Sequence, residues 1–279
     1  MQPELFVIDA FTDRAFAGNP AGVCLLDESV EAGPDWMQRV AAEMNLSETV
    51  FVWPGDNGGP RRVRYFTPMI EVELCGHATL AAAHTLWRHG QVPSDQPIRF
   101  RTIADDILTC TLTENGLIGM DLPASPAEPG EAPAGLAEAL GLPLTDLRLA
   151  GYQWLGVWSD AAALRDWQPD HAGLAAVDWG AAHGIVLTAP GGTLPDGRPA
   201  DFTSRFFAPA AGIAEDPVTG SAHAMLGPYW AERLSKSQFL AHQASPRGGT
   251  LEVEVQGDRV IVSGHAVTTV VGQWVGGLS

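Results

Sequence analysis

A cysteine, a glycine and a histidine stand in a row at Cys75-Gly76-His77, where an extended run gives way to an alanine-rich one. A thiol at a helix start is a good nucleophile or base once ionised, and an imidazole there can take or give a proton near neutral pH. Each residue also has a plain structural role open to it: a small buried side chain for Cys75, a hydrogen bonder for His77. Glu48 sits where a helical pattern turns into an apolar strand-like run. Partial desolvation at such a corner suits a carboxylate to proton transfer, and a solvated or helix-capping glutamate is the alternative. Far downstream, Asp216 precedes a second corner of the same kind, Thr219-Gly220-Ser221-Ala222-His223. Each corner follows an aromatic-x-Pro step, Phe66-Thr67-Pro68 and Phe207-Ala208-Pro209. The second corner offers Thr219 and Ser221 but no cysteine, so a racemase with one thiol base on each face of a carbon is not supported. Cys24 and Cys110 lie on strand-like runs and read as core.

Other chemistries lack their motifs. His77 and His84 share a helix face, but neither a His-x3-His nor a carboxylate-His set accompanies them, and no metal is expected. No GxGxxG, Walker loop or G-x-S-x-G elbow occurs.

The elements that must hold these residues follow from the pattern. Residues 5–11 are β-rich, Asn19-Pro20-Ala21-Gly22 reads as a turn, and 23–26 as the returning strand. A helix is predicted over 34–44, ending at Asn45, then strands over 49–52 and 63–66 and a helix over 76–89 closed by Gly90. Strands follow at 98–102, 107–113 and 117–122, the last two joined by the hairpin signal Asn115-Gly116. The Pro-, Ala- and Glu-rich segment 123–133 is the predicted domain boundary. Beyond it the pattern predicts helices at 136–140, 160–167, 171–182 and 221–234, and strands at 152–158, 184–188, 202–209, 251–255, 260–262 and 268–275, with a surface loop over 191–199. A run of strands and helices leading into a Gly corner and its helix thus occurs twice. The class is α+β with two similar domains, 1–122 and 134–264, and 265–279 is a candidate completion of the first. The corner helices are apolar on most sides and belong at the centre of mostly antiparallel sheets, where their N-terminal N–H groups form ready anion sites.

Composition sets the remaining bounds. Of 279 residues, 46% are hydrophobic and 18% charged, and 16 basic against 33 acidic side chains give a formal charge of -17. Such a charge repels phosphate backbones and anionic membrane surfaces, so neither nucleic acid nor membrane is an expected partner. Three cysteines imply no disulfide framework. No run reaches the roughly 18 apolar residues of a membrane span, and Met1-Gln2-Pro3-Glu4 opens no leader pattern, which together predict a cytoplasmic protein.

Taken together, Asp9-Ala10-Phe11 with Gly18-Asn19-Pro20, Glu43-Met44-Asn45-Leu46-Ser47-Glu48-Thr49, the Cys75 corner, and Glu215-Asp216-Pro217-Val218-Thr219-Gly220-Ser221-Ala222-His223 resemble the PhzF-like phenazine biosynthesis family, as do Pro246-Arg247-Gly248-Gly249 and Gly264-His265-Ala266. The resemblance implies a diaminopimelate-epimerase-like fold of two pseudo-symmetric domains, each a barrel-like sheet around a central helix, with the active-site cleft between them. It also implies a homodimer and a cofactor-independent isomerase that moves a proton within a small carboxylate-bearing substrate. By the same resemblance Glu48, His77 and Asp216 are catalytic, and Gly76, Gly220 and Ser221 bind a small anionic substrate. The related epimerases carry a cysteine at both corners, whereas this chain has Cys75 alone. The phenazine enzyme has alanine before its Gly-His and proline after it, whereas this chain has Cys75 and Ala78, so its substrate does not transfer. Two alternatives stand beside the isomerase: a single-cysteine racemase, epimerase or dehydratase using Cys75, and a non-catalytic small-molecule binding protein.

Overall fold

A computed structural model describes residues 2–55, 58–141 and 143–277. The chain divides into two compact units, Met1–Asp121 with Ser263–Ser279, and Leu122–Val262.

In the first unit, β1 (Glu4–Ala10) pairs antiparallel with β2 (Asn19–Leu25), and α1 (Pro34–Met44) leads to β3 (Glu48–Val52), parallel to β2. β4 (Arg61–Phe66) runs antiparallel to β3, β5 (Glu71–Val72) folds back on β4, and α2 (Gly76–Arg88) crosses to β6 (Ile98–Arg101), parallel to β4. β7 (Ile107–Leu112) pairs with β6, and β8 (Ile118–Pro123) with β7.

The second unit repeats this order. After β9 (Glu128–Pro129) and α3 (Leu136–Leu140), β10 (Asp146–Ala150) pairs antiparallel with β11 (Gln153–Val157). The short helices α4 (Ala161–Asp166) and α5 (His171–Ala176) then lead to β12 (Gly184–Pro190), parallel to β11. β13 (Phe202–Ala208) runs antiparallel to β12, β14 (Ile213–Asp216) folds back on it, and α6 (Gly220–Leu234) crosses to β15 (Gln238–Gln243), parallel to β13. β16 (Gly249–Gln256) pairs with β15, and β17 (Arg259–Gly264) and β18 (Ala266–Gln273) end the series. The sequence of antiparallel, parallel, antiparallel, antiparallel and parallel steps is the same in both units, and it places each Gly-corner helix at the same point of the wiring. β18 pairs along all of β1, from Glu4 opposite Gln273 to Ala10 opposite Ala266.

Local chemistry accounts for the boundaries. Pro34 and Asp35 open α1, Trp36, Met37, Val40 and Ala41 bury its inner face, and Asn45 closes it in the left-handed region at φ 49°. α2 buries all of its residues except His84 and Arg88, as an apolar helix at the centre of a sheet must. In α6, Pro228 cannot donate to the carbonyl of Ala224; the N–H of Ser125 supplies that bond instead, at 3.1 Å. The Pro-rich segment 123–133 is therefore tied down at Ser125 and again through β9, which pairs with β10.

The structure corrects three expectations. Asn19-Pro20-Ala21-Gly22 is strand rather than turn, and all four residues stand in register opposite β1. The reversal lies earlier, where Phe11, Phe16 and Gly18 take φ of 62°, 67° and 65°. A Cβ on Gly18 would fall 2.1 Å from the carbonyl oxygen of Ala10, so glycine is required there. Pro20 is tolerated because pairing with β3 begins only at Ala21. The helix predicted over 171–182 stops at Ala176, because Val177 is extended at ψ 137° and Gly180 turns the chain at φ 57°. β10, β14 and β15 are strands that the apolar pattern did not announce.

Candidate active site

The first corner is built by the start of β3 and the start of α2. Glu48 is the first residue of β3, opposite Ala21 of β2, so its side chain leaves the sheet at the end where Asn19 and Ser47 also lie. Cys75 is the N-cap of α2, with φ -142° and ψ 111° and no side-chain cap. Its carbonyl accepts both the Thr79 N–H at 3.0 Å and the Thr79 hydroxyl at 2.7 Å, and Tyr65 Oη lies 2.6 Å from that hydroxyl. This buried chain fixes the first turn, whose leading N–H groups, those of Gly76, His77 and Ala78, have no acceptor within the helix.

The three candidate side chains converge here. His77 Nε2 lies 3.2 Å from Glu48 Oε2, and Cys75 Sγ lies 3.4 Å from His77 Nδ1. All three residues are buried, with Glu48 8%, Cys75 7% and His77 5% exposed. Burial pushes the His77 imidazole down to about 3, so it is neutral in the ordinary working range. Asn19 Nδ2 lies 3.2 Å from His77 Nδ1, and Ser47 Oγ donates to Asn19 Oδ1 at 3.1 Å. A carboxylate beside a neutral imidazole at a helix N-terminus can hold a proton, pass it on, and stabilise negative charge that develops nearby. Glu48, Cys75 and His77 also place one ligand-type atom each within 4.8 Å of the others, a donor set of the kind a zinc ion takes.

The second corner holds the other predicted residues. Asp216 ends β14, is 6% exposed, and accepts a short bond from the Thr219 hydroxyl at Oδ2. Gly220 and Ser221 open α6, the first buried and the second half-buried. Gln243, which the motif reading passed over, holds this corner together: its Nε2 donates to the Asp216 carbonyl at 2.8 Å, and its Oε1 accepts the Thr219 N–H at 2.9 Å. His223 Nδ1 meets the Thr219 carbonyl at 2.8 Å, one turn along, as Thr79 meets Cys75 in the first unit. Burial holds its imidazole at about 4. Asn19 and Gln243 are polar residues inside strands, and nothing local in the sequence shows which side chain they will meet. Cys24 and Cys110 are buried thiols of the first unit; burial pushes Cys24 up to about 12 and raises Cys110 further. His84 lies off the corner, bonded to Thr268 Oγ1 at 3.0 Å.

A doubled α+β wiring with a Gly-corner helix inside each sheet is the diaminopimelate-epimerase-like fold. At the level of fold alone, the chain is similar to the crystal structure of a hydroxyproline epimerase from Agrobacterium vitis, with a TM-score of 0.59 at 13% identity over 98% of this chain and 93% of that one. Residues 8–272 match the family described as Phenazine biosynthesis-like protein, and the chain belongs to that family. It is 43% identical to an uncharacterized isomerase of Halalkalibacterium halodurans over 96% of this chain and 97% of that protein. It is 36% identical, with a TM-score of 0.88, to a crystal structure of a PhzF-family phenazine biosynthesis protein from Enterococcus faecalis, covering 98% and 99% of the two chains. The chain is an isomerase by class. Among the described residues no helix is long and apolar enough to cross a membrane.

Proposed function

We propose that the protein is a cofactor-independent isomerase in which Glu48 carries a proton from one atom to another of a small carboxylate-bearing substrate. The observation that supports this most directly is the buried contact of 3.2 Å between Glu48 and a neutral His77 at the start of α2. His77 and Asp216 assist, and the substrate's anionic groups are assigned to Gly76, Gly220 and Ser221, whose helix starts present N–H groups and a positive dipole end. An enolate-like intermediate would be stabilised by the same N–H groups. The reading includes a homodimer, as the family resemblance implies, and a cytoplasmic location, as the sequence pattern predicts; sedimentation and cell fractionation check these two points.

A second reading gives the acid or base role to Cys75, and the 3.4 Å approach of its sulfur to His77 favours it. The two separate in heavy water with a panel of small unsaturated and amino carboxylates. Under the leading reading Glu48→Gln slows deuterium wash-in by about 10²- to 10⁴-fold, the usual weight of a positioned acid-base group, and Cys75→Ala retains most of it. Wash-in that survives Glu48→Gln sinks the leading reading; wash-in lost in Cys75→Ala transfers the role to the thiol.

A further inference from the structure

Asn19 carries no chemistry of its own, yet its side chain touches the ring of a residue that does. It is fully buried at the first position of β2, opposite Ala10 of β1. Ser47 Oγ donates to Asn19 Oδ1 at 3.1 Å, and the amide's Nδ2 faces His77 Nδ1 at 3.2 Å. An amide nitrogen donates and does not accept, so Nδ1 must be the accepting nitrogen. In a neutral imidazole the ring proton then sits on Nε2, the nitrogen that lies 3.2 Å from Glu48 Oε2. The thiol of Cys75, 3.4 Å from Nδ1, can serve the same nitrogen as a second donor.

We propose that Asn19, held by Ser47, is a positioning residue that selects the Nε2–H tautomer of His77 and so puts the ring N–H on the nitrogen 3.2 Å from Glu48 Oε2. What that N–H is used for rests on the isomerase reading; the tautomer itself does not. Two effects follow from one hydrogen bond. The N–H is available to whichever group near Glu48 becomes negative, and the cluster of Glu48, Cys75 and His77 is denied a nitrogen ligand, because Nε2 carries the proton and the Nδ1 lone pair is engaged by Asn19. Reversing the Asn19 contact would reverse both.

The test is a long-range proton–nitrogen correlation spectrum of the full chain with ¹⁵N-labelled histidine, the His77 signals being assigned by their loss in His77→Asn. The expected wild-type pattern is a pyrrole-type Nε2 and a pyridine-type Nδ1. The reverse pattern overturns the proposal. Asn19→Asp replaces the donor by an acceptor of the same shape and is expected to move the proton to Nδ1, to slow deuterium exchange by between about tenfold and 10⁴-fold, and to let Zn²⁺ bind measurably tighter by calorimetry. An Asn19→Asp protein that loses stability but keeps the Nε2–H pattern shows a merely structural residue and overturns the proposal as well. If Asn19→Asp does not fold, Ser47→Ala decides: it frees the amide and is expected to give a mixture of both tautomers, whereas an unchanged spectrum counts against the mechanism. None of these spectra requires substrate. Failure of Glu48 as proton carrier would show in the exchange assay with the tautomer intact, so the two outcomes are distinguishable.

Discussion

Replacing Thr79 by valine should expose how the first corner is braced. Thr79 and Tyr65 are fully buried; the threonine hydroxyl donates to the Cys75 carbonyl at 2.7 Å, and the phenol oxygen lies 2.6 Å from it. Valine keeps the shape and the β-branching, so helix propensity is nearly unchanged. Loss of the bond to Cys75 accounts for about 1 kcal/mol, because the Thr79 N–H still serves that carbonyl, and the stranded phenol adds roughly 1–3 kcal/mol. The sum is about 2–4 kcal/mol, or a fall in melting temperature of roughly 7–14 °C for units of this size. Tyr65→Phe alone removes the phenol and should cost only about 1 kcal/mol. In that background Thr79→Val should also cost about 1 kcal/mol, since no polar group is left stranded. A thermal or urea double-mutant cycle measures the difference. Additive effects of the two changes would refute the claim that these hydroxyls act as one chain.

The remaining predictions concern charge. His77 and His223 are held at about 3 and about 4 by burial, against an ordinary value of 6.5. Below that value the unfolded chain binds protons that the native state refuses, so their contribution is complete above about pH 6.5 and is lost as pH falls toward 4 and then 3. At roughly 1.4 kcal/mol per unit this is several kcal/mol, and the melting temperature should drop steadily from about pH 7 to 5; a flat profile would refute it. Arg205 and Glu215 form a two-pronged ion pair at 2.8 and 2.9 Å with side chains only 5% and 9% exposed. Arg205→Met should therefore cost about 3–5 kcal/mol, because Glu215 is left charged and buried. Arg101→Met, which breaks the exposed pair with Asp105, should change stability by less than about 1 kcal/mol in urea titration. Equal losses in the two variants would contradict this account.

Much of the fold could be read from short-range chemistry, and the failures share a cause. α1 was legible to the residue because Pro34, Asp35 and the left-handed Asn45 mark both ends within one turn. The hairpin at Asn115-Gly116 was legible for the same reason, with Gly116 at φ 77°. Asn19-Pro20-Ala21-Gly22 carries turn-forming residue types inside a strand, while the turn itself uses two phenylalanines in a region that side chains disfavour. One of them, Phe16, is held by a backbone bond of 2.8 Å to Asp9 Oδ2, a contact that appears only once the fold is formed. At the site, the identities of Glu48, Cys75 and His77 stood out from their corner. Their mutual distances, and the parts of Asn19 and Gln243, depend on which strand lies beside which, and no spacing in the sequence carries that.

The pairing of β18 with β1 bears on how the molecule is made. β1 has β2 on one side, its near neighbour in sequence, and β18 on the other, a partner that leaves the ribosome only after the whole second unit. The second unit, 122–262, is continuous, whereas the first has its last strand encoded after it. The part synthesised earlier is thus completed later, and until then β1 presents a bare edge flanked by the apolar side chains of Phe6 and Ile8. A nascent or prematurely terminated chain lacking residues beyond Gly264 would carry that edge permanently, a template for pairing with another copy rather than with its own last strand.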